Sequence, residues 1–402
     1  MTAIPRYRHH EGPVLLSAGF RPFFLAATVW AAVAVPIWLV AYATGTTPPT
    51  ALPPVIWHAH EMIYGYAAAS VAGFLLTAIP NWTGRMPLQG MPLATLVGLW
   101  FLGRIAVLLS AEIGAVGAVV ADLSFPVVFL AVVAREILAG RNWRNLPMLG
   151  ALLLLLTGNL LVHLDTLGVT STAELGNRIG IGTLLVLIGL VGGRIVPSFT
   201  RNWLAKNRPD AALPAPAGML DLVALIATGL GIAVWVFAPD TAPAPYAELI
   251  AGVAVALRLT RWGGPSTVRE PLLFILHVGY GWLAAGLLLL GTDGLFYFLP
   301  QTTVLHALTV GAIGTMTLAV MTRATLGHTG RPLSAGPVTK AIYVLVTAAA
   351  ILRLAAPLAG AEMMLVLFFA GVAWCAAFGL FAVVYGRALA RPRVSNGGGT
   401  PI

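Results

Sequence analysis

Charged residues are scarce in this chain. Only 9% of its 402 residues are Asp, Glu, Lys or Arg, whereas 58% are hydrophobic, and the mean hydropathy is +0.89. A soluble domain carries about a quarter charged residues. The composition therefore excludes a water-soluble globular protein and indicates a membrane protein.

Cysteine is nearly absent as well. The chain has the single cysteine Cys375, which excludes an internal disulfide, and it has no C-x-x-C-H motif for covalently attached haem. The N-terminal segment MTAIPRYRHHEG is polar, and a full-length apolar run follows it. A cleavable signal peptide is therefore not expected.

Long apolar runs make up most of the chain, each close to the roughly 20 residues that a helix needs to cross the hydrocarbon core. We predict an all-α integral membrane protein with about twelve transmembrane helices. The predicted spans are 20–44, 58–80, 92–111, 114–134, 146–168, 178–199, 218–238, 243–260, 271–291, 302–323, 338–357 and 361–385. The fourth is interrupted by Asp122, and the eighth is the shortest.

Basic residues occupy alternate loops. Arg6 and Arg8 precede the first span, Arg and Lys recur in every second loop, and the intervening loops hold only Arg178 at a helix start. Because Lys and Arg are retained on the cytoplasmic side, both termini are predicted to be cytoplasmic, in a bacterial inner membrane. The net charge of +9 then reflects topology and contact with anionic membrane lipid, and no nucleic acid partner is expected.

The second, sixth and tenth spans share a sequence pattern. Counting back 23 residues from the conspicuous threonines Thr83, Thr200 and Thr329 reaches His60, Asn177 and His306, and a glycine stands five residues after each. We predict three tandem four-helix repeats, 18–140, 141–266 and 267–392, around an axis along the membrane normal. A disordered tail is predicted at 393–402.

Ionisable residues within these spans are the candidate site, because such residues are costly in a bilayer and usually face a site or the bundle interior. Those predicted in the outer third of the bilayer are His58, His60, Glu61, His163 and His306. Two others, His277 and His328, lie toward the cytoplasmic side.

Neutral imidazole is a good ligand for haem iron and for copper. His60 and His306 occupy equivalent repeat positions, so they are predicted to be the two axial ligands of a b-type haem or to flank an open haem position. Arg21 and Arg323 are candidates to pair with the haem propionates. His58 lies two residues from His60, about 200° around a regular helix, so the two histidines serve different partners unless the helix start is unwound.

Copper is the second predicted cofactor. Its candidate ligands are His58, His60, His163, His277, His306, His328 and Glu61. Each also has a structural interpretation: Glu61 can orient a histidine instead of binding metal, and a lone intramembrane histidine is often only an interhelical hydrogen-bond donor. Arg104 is a further candidate to pair with the haem propionates, and its structural interpretation is a side chain that extends toward the membrane surface. Asp122 has no predicted partner.

The chain resembles the NnrS family over nearly its whole length, and five segments carry the resemblance. They are SAGFRPFFLAA (17–27), WHAHEMIYGYAAASVAGFLLTAIPNWTGR (57–85), GGRIVPSFTRN (192–202), LHVGYGWLAAGL (276–287) and HALTVGAIGTMTLAVMTRATLGHTGRPL (306–333). The resemblance implies a haem- and copper-containing inner-membrane protein linked to denitrification and nitric oxide stress. It does not imply a particular reaction.

Three functions remain open. The favoured one is a haem protein that binds nitric oxide or a related nitrogen oxide, or reduces it as an oxidoreductase with an electron donor that the sequence does not identify. The alternative is a multi-pass transporter of a small solute or of a metal or metal–nitrosyl species. A signalling protein without turnover is less favoured, because the sequence contains no soluble output domain.

Overall fold

The structure is a computed structural model that describes residues 10–394. Within this range the chain is helical and has no β-strand. Its helices of at least 17 residues are α1 Phe20–Thr44, α2 Pro54–Thr83, α3 Met91–Leu108, α4 Ala115–Ala139, α5 Trp143–Thr166, α6 Ala173–Asn207, α7 Met219–Phe237, α8 Ala244–Thr260, α9 Pro271–Phe296, α10 Gln301–His328, α11 Pro337–Ala355 and α12 Met363–Leu380.

These helices confirm the prediction of an all-α, multi-pass membrane protein. In the part of the chain that the structure describes, ten helical stretches are long and apolar enough to cross a membrane. One of them, Pro337–Leu389, contains both α11 and α12, which are separated by a bend where Gly360 has a positive φ of 54°. The shortest of these twelve helices is α8, with 17 residues, and Asp122 does not interrupt α4.

Proline and glycine set many of the helix boundaries. Helices α2, α9 and α11 begin with Pro54, Pro271 and Pro337, where the missing N–H would have no intrahelical partner in any case. Helices α1 and α2 end at Gly45 and Gly84, each with a φ of 70°, the left-handed conformation that glycine adopts without steric cost.

The chain falls into two compact units. Unit 1 contains α1–α5, the start of α6 through Gly180, and two short segments, His328–Gly330 and 382–394. Unit 2 contains 181–327 and 331–381. The three predicted repeats stay a prediction. Residues 395–402 of the predicted tail lie outside the described residues. Arg6 and Arg8 also lie outside them.

Two π-helical segments occupy matching sequence positions. In α2 the segment is Glu61–Ala67, directly after His60, and in α10 it is Ala307–Gly314, directly after His306. A further π-helical segment in α6, Ile188–Gly192, follows Asn177 at a greater distance. Because π-helical turns are frequent at functional sites, the first two draw attention to His60 and His306.

Helices α5 and α6 approach each other closely within unit 1. A Cβ atom built on Gly176 would lie 2.5 Å from the carbonyl oxygen of Gly158, and one built on Gly158 would lie 2.8 Å from the carbonyl oxygen of Gly176. The Tyr64 hydroxyl of α2 donates a hydrogen bond of 2.6 Å to the same Gly176 carbonyl. Small residues at this crossing therefore allow backbone-to-backbone packing.

Gly176→Ala is expected to destabilise the protein by about 1–3 kcal/mol, because the added methyl group meets backbone that cannot move aside. The matched control is Gly150→Ala on α5, where a Cβ atom meets nothing within 4 Å. The thermal unfolding midpoint of detergent-purified protein, followed by tryptophan fluorescence, measures the difference. Equal midpoints for the two variants would contradict the described packing.

Candidate metal centre

Six polar side chains from four helices meet in unit 1. They are His60 and Glu61 on α2, Arg104 on α3, Asp122 on α4, and Asn159 and His163 on α5, and we call them the His60 cluster. His60 and Asp122 lie near the first residues of their helices, whereas Arg104 and His163 lie near the last residues of theirs. All are within about two turns of the end that the basic-residue pattern predicts to be outside.

Every member of the His60 cluster is buried. The most exposed side chains, Arg104 and Asn159, are 2% exposed, and His60 and Glu61 are 0% exposed. Charges withdrawn from water at this depth are tolerated only when they are paired and hydrogen-bonded. The contacts among the six side chains supply that pairing.

The centre of the cluster is formed by two imidazoles and one carboxylate. Asp122 Oδ2 lies 2.8 Å from His163 Nε2 and 3.2 Å from His60 Nε2. The ligating atoms of these three residues all lie within 4.8 Å of one another. Asn159 Oδ1 is 2.8 Å from His60 Nε2, so a fourth electron-pair donor faces the same centre.

An outer ring of contacts orients these donors. His60 Nδ1 lies 2.9 Å from Glu61 Oε1, and because an ionised carboxylate only accepts, Nδ1 carries the hydrogen. This arrangement directs the electron pair of Nε2 toward the centre, as is usual for metal-binding histidines. Asn159 Nδ2 donates to Asp122 Oδ2 over 2.8 Å, which fixes the orientation of the Asn159 amide.

Arg104 joins the two carboxylates. Its Nη1 donates to Glu61 Oε1 over 2.7 Å, and its Nη2 donates to Asp122 Oδ1. Asp122 therefore uses one oxygen for Arg104 and the other for the centre. Within the described chain, Glu61 Oε2 and Arg104 Nε are buried without a hydrogen-bond partner.

The donor set fits a small metal ion. When His60 Nε2 is unprotonated, its electron pair and those of Asn159 Oδ1 and Asp122 Oδ2 face one another at short range, and either a proton on Nε2 or a metal ion among them removes the repulsion. Imidazole and carboxylate ligands suit copper and other first-row transition ions. A haem iron at His60 Nε2 would require Asn159 and Asp122 to move, and the axial pairing of His60 with His306 stays a prediction.

Two expectations about this region were wrong. Asp122 is not unpaired, and Arg104 does not extend to the membrane surface, because the two residues form a buried ion pair across adjacent antiparallel helices. Both lie a few residues from the connection between α3 and α4, which is the signal that could have paired them. Asn159 was missed, although it stands four residues before His163 and therefore on the same helix face.

The two neighbouring histidines of α2 have different surroundings, as their angular separation predicted. The His58 ring stacks on Trp38 of α1, with ring centroids 5.1 Å apart and planes 16° apart. His60 instead contacts Asn159 and Asp122. The structure therefore brings together His60, Glu61 and His163 from the predicted ligands and leaves His58 outside the cluster.

The other predicted histidine ligands lie elsewhere. His277 Nε2 is 2.9 Å from Thr200 Oγ1 in unit 2, and the His328 ring packs on Phe20 in unit 1 with centroids 5.4 Å apart. In unit 2, His306 Nδ1 is hydrogen-bonded to the Thr302 carbonyl oxygen. Their roles as ligands stay predictions.

The arginines predicted to pair with haem propionates have protein partners in the structure. Arg21 Nη1 donates to the carbonyl oxygens of Leu389 and Arg391 over 2.5 and 2.8 Å, all within unit 1. The Arg323 guanidinium lies 4.3 Å from the ring centroid of Phe199, within unit 2. Their pairing with propionates likewise stays a prediction.

Fold and site together define a multi-pass helical membrane protein with a buried cluster of histidines and carboxylates joined by an arginine. The family model described as NnrS protein matches residues 14–393, so the chain belongs to the NnrS family. No curated protein matches the chain. Family membership supports a membrane protein of the nitric oxide response.

Arg104→Ala is expected to destabilise the protein by about 3–5 kcal/mol, because it leaves Glu61 and Asp122 buried without their cation. The control is Arg85→Ala, which removes an ion pair to Glu136 from an arginine side chain that is 42% exposed and should cost at most about 1 kcal/mol. Thermal unfolding in detergent compares the two variants. Similar midpoints would show that the Arg104 contacts do not support the fold.

Proposed function

We propose that this NnrS-family protein binds a transition-metal ion, copper, at His60, Asp122 and His163, and that this centre binds or acts on nitric oxide or a related nitrogen oxide. The observation that carries the proposal is the convergence of two imidazole nitrogens and one carboxylate oxygen within 4.8 Å of one another. Family membership supports the choice of ligand.

We place the centre in the outer half of the bacterial inner membrane, with both termini in the cytoplasm. The support for this orientation is the basic-residue pattern, since Lys and Arg are retained on the cytoplasmic side. In this orientation, α2 and α4 would run inward from the end near which His60 and Asp122 lie, and α3 and α5 would run outward to that end. An uncharged gas such as nitric oxide dissolves in the surrounding hydrocarbon and would reach a buried centre without an aqueous channel.

Each residue of the cluster has a separate part in this proposal. His60, His163 and Asp122 hold the ion, and Asn159 Oδ1 is positioned to complete its ligands. Glu61 keeps the Nδ1 hydrogen of His60 in place so that Nε2 remains the ligating atom. Copper, when bound, supplies a redox-active centre that binds small ligands, and the buried surroundings exclude bulk water from it.

Haem b belongs to the same proposal, and we assign its protein ligand to His306. The hydrogen bond between His306 Nδ1 and the Thr302 carbonyl oxygen is the contact that commonly orients an iron-ligating histidine and leaves Nε2 for the metal. The matching position of the π-helical segments after His60 and His306 supports a functional role for both histidines.

Metal analysis of detergent-purified protein from copper-supplemented cells tests the ion site. Wild-type protein should retain copper. His163→Ala should lose most of it because it removes one of three ligands, and Asp122→Ala should lose most of it for the same reason. His58→Ala is the matched control, since its ring stacks on Trp38 and should not affect copper content. Copper-free wild-type protein, or equal losses in His58→Ala and His163→Ala, would overturn the assignment.

Absorption spectra of oxidised and reduced protein, with and without nitric oxide, test the haem. A b-type spectrum that shifts on adding nitric oxide is expected, and His306→Ala should remove it while leaving the copper content unchanged. His58→Ala again serves as the control. A colourless wild-type protein from haem-sufficient cells would remove haem from the proposal and favour the transporter alternative.

A further inference from the structure

We propose that Arg104 makes the metal centre selective for a singly charged ion, copper(I), over divalent ions. The inference rests on the proposed metal site and concerns the charge of the ion that the site accepts. Arg104 is not a ligand in this proposal. It determines specificity through its fixed positive charge.

The charge of the His60 cluster carries the inference. Glu61 and Asp122 contribute −2 when ionised, and Arg104 contributes +1, so −2 + 1 leaves a net charge of −1. His60 and His163 contribute none, because an imidazole must be neutral to bind a metal. A singly charged ion therefore brings the cluster to neutrality, whereas a divalent ion leaves an uncompensated charge of +1.

Burial makes this difference large. No member of the cluster is more than 2% exposed, and the surrounding helices are apolar stretches suited to a bilayer. An uncompensated charge is far more costly in such surroundings than in water. Among singly charged ions, those of the alkali metals prefer oxygen ligands, whereas imidazole suits copper. The two imidazoles therefore favour copper over an alkali ion, and the charge of the cluster then favours copper(I) over a divalent ion.

Arg104 is held firmly enough to act as a permanent charge. It is bonded to both carboxylates, Glu61 and Asp122, and it lies beside Gly65, where a Cβ atom would come within 3.1 Å of its Nη1. The carbonyl oxygen of Gly65 accepts a hydrogen bond of 3.0 Å from Trp100 Nε1, which stabilises this part of α2. The missing side chain at Gly65 gives the guanidinium its space.

Three charge variants separate the effect of charge from the loss of a side chain. Arg104→Gln brings the cluster to −2, Glu61→Gln brings it to 0, and the double variant Glu61→Gln/Arg104→Gln restores −1. Glutamine at position 61 can still accept the hydrogen of His60 Nδ1. The measurement is anaerobic competition of copper(I) and of Zn²⁺ against chromophoric chelators, with detergent-purified full-length protein.

The expected quantity is the ratio of Zn²⁺ affinity to copper(I) affinity. It should rise at least about tenfold in Arg104→Gln, because a unit charge a few ångströms from the ion has been removed. The ratio should fall in Glu61→Gln and return close to the wild-type value in the double variant. Arg104→Lys, which keeps the charge, should also keep the wild-type ratio.

Each other outcome is decisive. If wild type, Arg104→Gln, Glu61→Gln and the double variant all give the same ratio, the selectivity proposal is overturned and the metal site stays in place. A ratio in the double variant as high as in Arg104→Gln would show that the guanidinium itself, not its charge, matters. If Arg104→Gln does not fold, the comparison of Glu61→Gln with wild type carries the test. Wild-type protein that binds neither ion would overturn the metal site itself.

Discussion

The buried guanidinium of Arg104 is the contact on which the candidate site depends. It bonds to Glu61 on α2 and to Asp122 on α4, so one side chain from α3 ties together two helices that both carry a negative charge. Without it, two carboxylates would lie unpaired in apolar surroundings, which costs several kcal/mol. With it, each carboxylate keeps a defined position beside a histidine.

This contact explains which partner each carboxylate oxygen in the cluster binds. Asp122 turns one oxygen to Arg104 and the other to His60 and His163, and Glu61 turns one oxygen to both Arg104 and His60 Nδ1. The histidines are thereby oriented by residues that are themselves held in place. Preorganised donors of this kind favour metal binding because little rearrangement is needed on entry of the ion.

Close helix packing supplies the rigidity that such a site requires. The crossing of α5 and α6 at Gly158 and Gly176 holds Asn159 near the centre, because Asn159 is the next residue on α5. The Tyr64 hydroxyl bonds to the same crossing from the π-helical segment that begins at Glu61. Packing and site therefore share neighbouring residues on α2 and α5.

Sequence alone determined the helical membrane fold, most span boundaries and the family, and it selected His60, Glu61 and His163 as candidate site residues, because hydropathy, charge and motif are properties of consecutive residues. It also predicted that His58 and His60 diverge, since that follows from 100° per residue. Tertiary structure alone paired Arg104 with Asp122 and brought Asn159 to the centre. Such contacts depend on how neighbouring helices are rotated and packed, and apolar helices offer almost the same hydropathy on every face.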